Sequence, residues 1–185
     1  MNSKYLLLLI ILSFNFLSPL SANEIYAHYC KIRPPNPCFL PGTKIALATG
    51  DDKPIEDIYI GEYVLGYDEN LDRVLTKKVI NTFVHHNIKE YYVLTLEDGR
   101  IIEVTGNHPI YNGEKYIEVR NIAIGDEITT LSEKNKLEEI KVIDIKIVNS
   151  DVTVYNLEVE TTHNYFAEGC LVHNKNIYEM HNLSP

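Results

Sequence analysis

The chain has 185 residues, with 17 Lys and Arg against 26 Asp and Glu, and a net charge of −9. That length suits one domain with short flanking segments. The acidic balance and the lack of a basic stripe argue against nucleic-acid binding through phosphate contacts, and the charge serves solubility.

Residues 1–22 read as a secretory signal. Lys4 is the positive n-region, and Tyr5 to Phe16 is an apolar run too short to span a bilayer. Cleavage is expected after Ala22. It removes one base and no acid. With no second apolar run downstream, the expectation is a soluble, secreted or periplasmic protein that has no membrane partner once the signal is gone. Residues 23–37 follow as a leader, and Pro34-Pro35-Asn36-Pro37 makes it an extended, semi-rigid arm.

The three cysteines, Cys30, Cys38 and Cys170, are an odd count. A disulfide framework favours an even one. An oxidising compartment leads to the expectation of one pair and one free thiol. Cys170, four residues before Asn174, is the candidate redox partner of Cys38, with Cys30 as its competitor.

From Thr43 onward the sequence reads as strand after strand, rich in Val, Ile, Tyr and Thr. The predicted runs are Thr43 to Ala48, Tyr63 to Tyr67, Arg73 to His85, Tyr91 to Glu97 and Arg100 to Val104. Lys115 to Val119, Glu127 to Leu131, Leu137 to Val148 and Val152 to Glu160 complete them. Glu97-Asp98-Gly99-Arg100 carries a hairpin signal. Leu137 to Ile147 has a helical look, but its β-branched residues favour a strand. The fold class is therefore all-β.

The sequence also repeats itself. Ile58-Tyr59-Ile60-Gly61-Glu62-Tyr63-Val64 aligns with Ile122-Ala123-Ile124-Gly125-Asp126-Glu127-Ile128 at an offset of 64 residues. Two further blocks align at an offset of 63. Gly61 and Gly125 each precede an acid and a new strand, where a turn with positive φ is expected.

The chemistry sits at three places. Cys38-Phe39-Leu40-Pro41-Gly42-Thr43 opens the strand region with a thiol, the strongest common side-chain nucleophile near neutral pH. Thr105-Gly106-Asn107-His108 lies in a polar break between apolar strands, and Pro109 biases His108 towards an extended conformation. Val172-His173-Asn174 ends an apolar strand. An asparagine amide can attack its own backbone carbonyl, close an imide and cut the chain behind itself, while a preceding histidine protonates the leaving amine.

These motifs, in this order, resemble the Hint superfamily of hedgehog autoprocessing domains and inteins, with the intein-like and pre-toxin bacterial members most similar. The resemblance covers Cys38 to Asn174. It implies a horseshoe of two pseudo-two-fold-related β halves, with both ends meeting at one cleft. It implies that Cys38 attacks the Pro37 carbonyl, that His108 protonates the departing nitrogen and Thr105 orients the amide. His163 and His173 then assist cyclisation of Asn174. The substrate is the chain's own polypeptide, with an external nucleophile or protein as acceptor, and no cofactor or metal is implied. His28, His85 and His86 have no metal-ligand spacing.

Three departures qualify the resemblance. Many inteins carry Asp before Leu157, where this chain has Asn156, a neutral amide that is neither acid nor base. This implies weakened coupling between the two cleavages. Lys175 replaces the nucleophilic residue that splicing requires, so cleavage at Pro37–Cys38 and Asn174–Lys175 is expected instead. The 11 residues 175–185 form a short tail with no toxin domain, and the interval from His108 to Thr153 is too short for a homing endonuclease. Two other functions remain: a degenerate scaffold acting as a secreted binding module, and a cysteine hydrolase acting on external peptides.

Overall fold

β-branched and aromatic residues alternate with polar ones through most of the chain, and the backbone answers with strands. The computed structural model describes residues 37–174. The expected signal and leader before Pro37, with His28 and Cys30, and Lys175 with the rest of the expected tail lie outside the described residues. The strands are β1 (Lys44–Ala46), β2 (Asp52–Pro54), β3 (Tyr63–Asp68), β4 (Arg73–Leu96), β5 (Ile101–Val104) and β6 (Pro109–Tyr111). They continue with β7 (Tyr116–Glu118), β8 (Glu127–Leu131), β9 (Leu137–Val159), β10 (Asn164–Ala167) and β11 (Cys170–His173). The pairing order is β2-β1-β10-β11-β8-β9-β4-β3, with β5 on β4 and β6 bridging β11 to β7. These pairings are antiparallel, so the predicted all-β class holds.

β4 and β9 pair along most of their lengths. Each was expected as two strands. The polar stretch that suggested a break, around His85-His86-Asn87, is instead a set of register shifts between His85 and Ile88 and between Ile88 and Glu90. Asn87 takes a left-handed φ of 60° there. A bulge absorbs the extra residues without ending the ribbon. The Asp98-Gly99 hairpin forms as expected, with Gly99 at φ 89° and Leu96 N–H on the Arg100 carbonyl at 2.9 Å.

The sequence repeat is a structural one. A 3-10 turn, Ile55–Asp57 in one half and Val119–Asn121 in the other, precedes each glycine. Gly61 (φ 99°) donates to Val79 O and Gly125 (φ 98°) to Val142 O, both at 2.8 Å. Glu62 and Asp126 accept the N–H groups of Tyr59 and Ala123 on their carboxylates. Their own carbonyls accept from Val79 and Val142 at 2.9 Å. The positive φ explains glycine at both positions. The core draws on both halves, with Ile45, Ile55, Val64, Leu94, Val119, Ile128 and Val142 in one apolar cluster.

Candidate functional site

Cys38, Phe39 and Leu40 are threaded between two strands. Phe39 exchanges two backbone hydrogen bonds with Tyr155 of β9, each 2.8 Å. Leu40 donates to Glu103 of β5, and Thr105 N–H donates to the Cys38 carbonyl at 2.9 Å. The chain thus enters the domain as an extra strand, which fixes the Pro37–Cys38 peptide in place. The N–H of that peptide, on Cys38, donates to Thr105 Oγ1 at 2.9 Å, and the Thr105 hydroxyl donates to the Cys38 carbonyl at 3.2 Å.

The Cys38 side chain is fully buried against Leu40 and Val154. Burial pushes its thiol far above the ordinary range, so the resting form is the thiol. His108 is also fully buried. Its ring lies 4.2 Å from the Phe39 ring, centroid to centroid, and neither nitrogen has a hydrogen-bond partner among the described residues. Burial, and secondarily the nearby His173, lowers its pKa to about 3. The resting imidazole is therefore neutral and has an unused lone pair.

The other chain end arrives on the β10–β11 hairpin. His163 stands before β10 in a left-handed conformation (φ 55°), as does Thr161 (φ 68°). Such a φ is uncommon for a β-branched residue. The His163 carbonyl accepts the Asn174 N–H at 2.8 Å. The His173 ring lies 6.2 Å from the His163 ring and 5.0 Å, edge-on, from the Tyr116 ring. Asn174 is buried, and among the described residues its side-chain amide makes no hydrogen bond through either atom. Its backbone carbonyl does make one, accepting from Asn156 Nδ2 at 3.2 Å.

Neighbouring residues of β9 thus hold both ends: the Tyr155 backbone holds Phe39, and the Asn156 side chain holds Asn174. His108 packs on Phe39, on the first of these two sides. Of the residues singled out from sequence, Cys38, Thr105 and His108 stand on the Tyr155 side, and His173, Asn174 and His163 stand on the Asn156 side. They are largely buried, and a groove of about 1000 Å³ bordered by Lys44, Arg100, Lys134 and Glu168 includes none of them.

Cys170 does not join them. It lies at the opposite end of β11 from Asn174, paired with Ala167 and Thr130, about 13 Å away along extended chain. Its thiol is buried near Arg100 and pushed up to about 12 by burial. Among the described residues neither Cys38 nor Cys170 is in a disulfide, and the two pack in different apolar clusters. The expected Cys38–Cys170 bond is therefore not made, because a four-residue strand carries its first and last positions apart. Among the described residues no group of three or more His, Cys, Asp or Glu side chains is placed to hold a metal, and no helix is long and apolar enough to cross a membrane.

The sequence reading left two contributors out of the site. Asn156 stood out only as a departure from an acidic position. Tyr165, fully buried, donates its hydroxyl to Asn156 Oδ1 at 2.7 Å. The apolar run Tyr165-Phe166-Ala167 gives no hint of that bond.

The fold and the meeting of its two ends define a Hint-type domain. Solved structures agree: a variant of the Ssp DnaB mini-intein superposes with a TM-score of 0.70 at 20% identity, covering 78% of this chain and 98% of that one. The bacterial intein-like domain from Clostridium thermocellum gives 0.66 at 30% identity, covering 74% and 98%. A DNA polymerase of Thermococcus aggregans is 32% identical over 109 residues, which are 57% of this chain but only 6% of that protein. The model of the pretoxin HINT domain matches residues 45–183, and the chain belongs to that family.

Proposed function

We propose that this domain cuts its own chain at two bonds, Pro37–Cys38 and Asn174–Lys175, and does not join the flanks. The observation that carries this reading is the pairing of the two ends on Tyr155 and Asn156, with Thr105 on the first peptide and Asn156 on the second.

At the first bond Cys38 Sγ attacks the Pro37 carbonyl carbon. The thiol proton needs a base, because burial opposes the free thiolate. Neutral His108 takes that proton and then delivers it to the Cys38 nitrogen as the C–N bond breaks. Thr105 holds the Cys38 N–H and sets the face on which the nitrogen lone pair develops. The products are a thioester at Sγ and a free Cys38 amine. Water or an external nucleophile opens the thioester.

At the second bond Asn174 Nδ2 attacks its own carbonyl carbon. Among the described residues, no hydrogen bond holds its side-chain amide. His173 and His163 carry the proton from Nδ2 to the departing Lys175 nitrogen. Lys175 offers an ammonium in place of the hydroxyl or thiol that would capture the acyl group, so the outcome is release.

The test is the intact mass of the purified full chain over time, beside Cys38→Ala and Asn174→Ala. Fragments starting at Cys38 and ending at Asn174 are expected, each lost in its own variant. A parent that stays whole under these conditions refutes cleavage and favours the binding-module alternative. Export is a separate inference from Lys4 and the Tyr5 to Phe16 run. A secreted chain beginning at Asn23 supports it, and an unprocessed cytoplasmic chain refutes it.

A further inference from the structure

We propose that Asn156 stabilises the oxyanion of the asparagine step, and that Tyr165 is the positioning residue that aims it. The proposal rests on the cleavage reading above and assigns a residue that the sequence comparison counted only as a loss.

An amide side chain has one accepting end and one donating end, and its surroundings decide which faces where. One end of Asn156 faces the Leu157 N–H at 2.8 Å. A backbone N–H can only donate, so that end is the oxygen. The Tyr165 hydroxyl donates to the same oxygen at 2.7 Å. With Oδ1 fixed by two donors, Nδ2 must face the other way, and there it meets the Asn174 carbonyl oxygen at 3.2 Å. Asn156 is buried, as is Tyr165, so water does not compete for this geometry.

That carbonyl is the one that reacts. As the Asn174 Nδ2–C bond forms, the π electrons move onto the carbonyl oxygen. They return when the C–N bond to Lys175 breaks, leaving a succinimide and a new amine. One proton leaves Nδ2 and one reaches the Lys175 nitrogen, so the step balances without any co-reactant. A donor already aimed at the oxygen gains strength as charge grows there and needs no reorganisation. A carboxylate at position 156 would still accept from Leu157 and Tyr165. It would turn a second acceptor towards the oxyanion and oppose it.

The test compares C-terminal release, read as intact mass, in the parent and in Asn156→Asp across a pH series. N-terminal cleavage in the same samples reports that the fold and the Cys38 side are intact. At neutral pH the variant is expected to release residues 175–185 about 10²-fold more slowly. The deficit should shrink as pH falls through the carboxyl pKa, because a protonated carboxyl regains a donor. A deficit that stays constant with pH means a merely structural role and overturns the proposal, as does release at the parent rate. If Asn156→Asp loses N-terminal cleavage as well, Tyr165→Phe decides: about fivefold slower C-terminal release is expected from the lost phenol bond, and an unchanged rate overturns the proposal. A parent that releases no C-terminal peptide overturns the cleavage reading and this inference with it.

Discussion

His108 should make the fold acid-sensitive in a way that can be measured without any catalysis. The ring is fully buried, and its pKa falls from an ordinary 6.5 to about 3. Below about pH 6.5 the unfolded chain binds a proton that the folded chain refuses until about pH 3. Stability is therefore complete above the unfolded value and is lost as pH falls through that window. Each pH unit inside it costs about 1.4 kcal/mol, so at pH 4.5 the loss is about 3 kcal/mol. His108→Phe keeps an aromatic ring against Phe39 and removes the titration. Urea midpoints of both chains, in an Asn174→Ala background that limits C-terminal cleavage, should diverge on acidification, with the His108 chain falling faster. The same acid loss in both chains would refute the reasoning.

Three further outcomes are expected. Thr105→Val leaves the buried Cys38 N–H unpaired, which should cost about 1–3 kcal/mol in urea unfolding and remove most N-terminal cleavage while leaving release at Asn174. Cys170→Ser, with or without a non-nucleophilic phosphine, should not change the N-terminal cleavage rate, since Cys170 lies at the far end of β11; a rate that rises only with reductant would restore a redox gate. Asn164→Ala removes an amide that accepts the Tyr67 N–H and donates to the Tyr67 carbonyl and the Tyr116 hydroxyl. The loss should be about 2–4 kcal/mol by chemical denaturation, and a change within 0.5 kcal/mol, roughly the range of ordinary surface substitutions, would contradict it.

Local chemistry made part of this readable in advance. Gly61 and Gly125 mark turns that only a positive φ closes, and the acid after each one caps the same loop, so the repeat showed in the letters. The thiol, the Thr-x-x-His and the His-Asn are legible because each is a short local run, and the last two directly follow strands, Thr105 after β5 and Asn174 after β11. What stayed hidden depends on partners far away in sequence. The β4–β9 ribbon reads as separate strands because its bulges put polar residues at His85, His86 and Asn87. β10 follows a loop whose left-handed Thr161 and His163 look like an ordinary polar turn. The value of Asn156 as a donor lies in Tyr165, nine residues on, and in Asn174, eighteen residues on, and no periodicity connects them.

The measurement closest to the central claim is the mass of the carboxyl-terminal residue after spontaneous cleavage of the purified parent chain. Cyclisation of Asn174 leaves a fragment ending in succinimide, lighter by one water than the same fragment ending in asparagine, and converting to it on standing. The account expects that lighter species to appear first and to be absent from Asn174→Ala. A fragment that ends in plain asparagine from the earliest time point, or one that forms equally fast in Asn174→Ala, would contradict it.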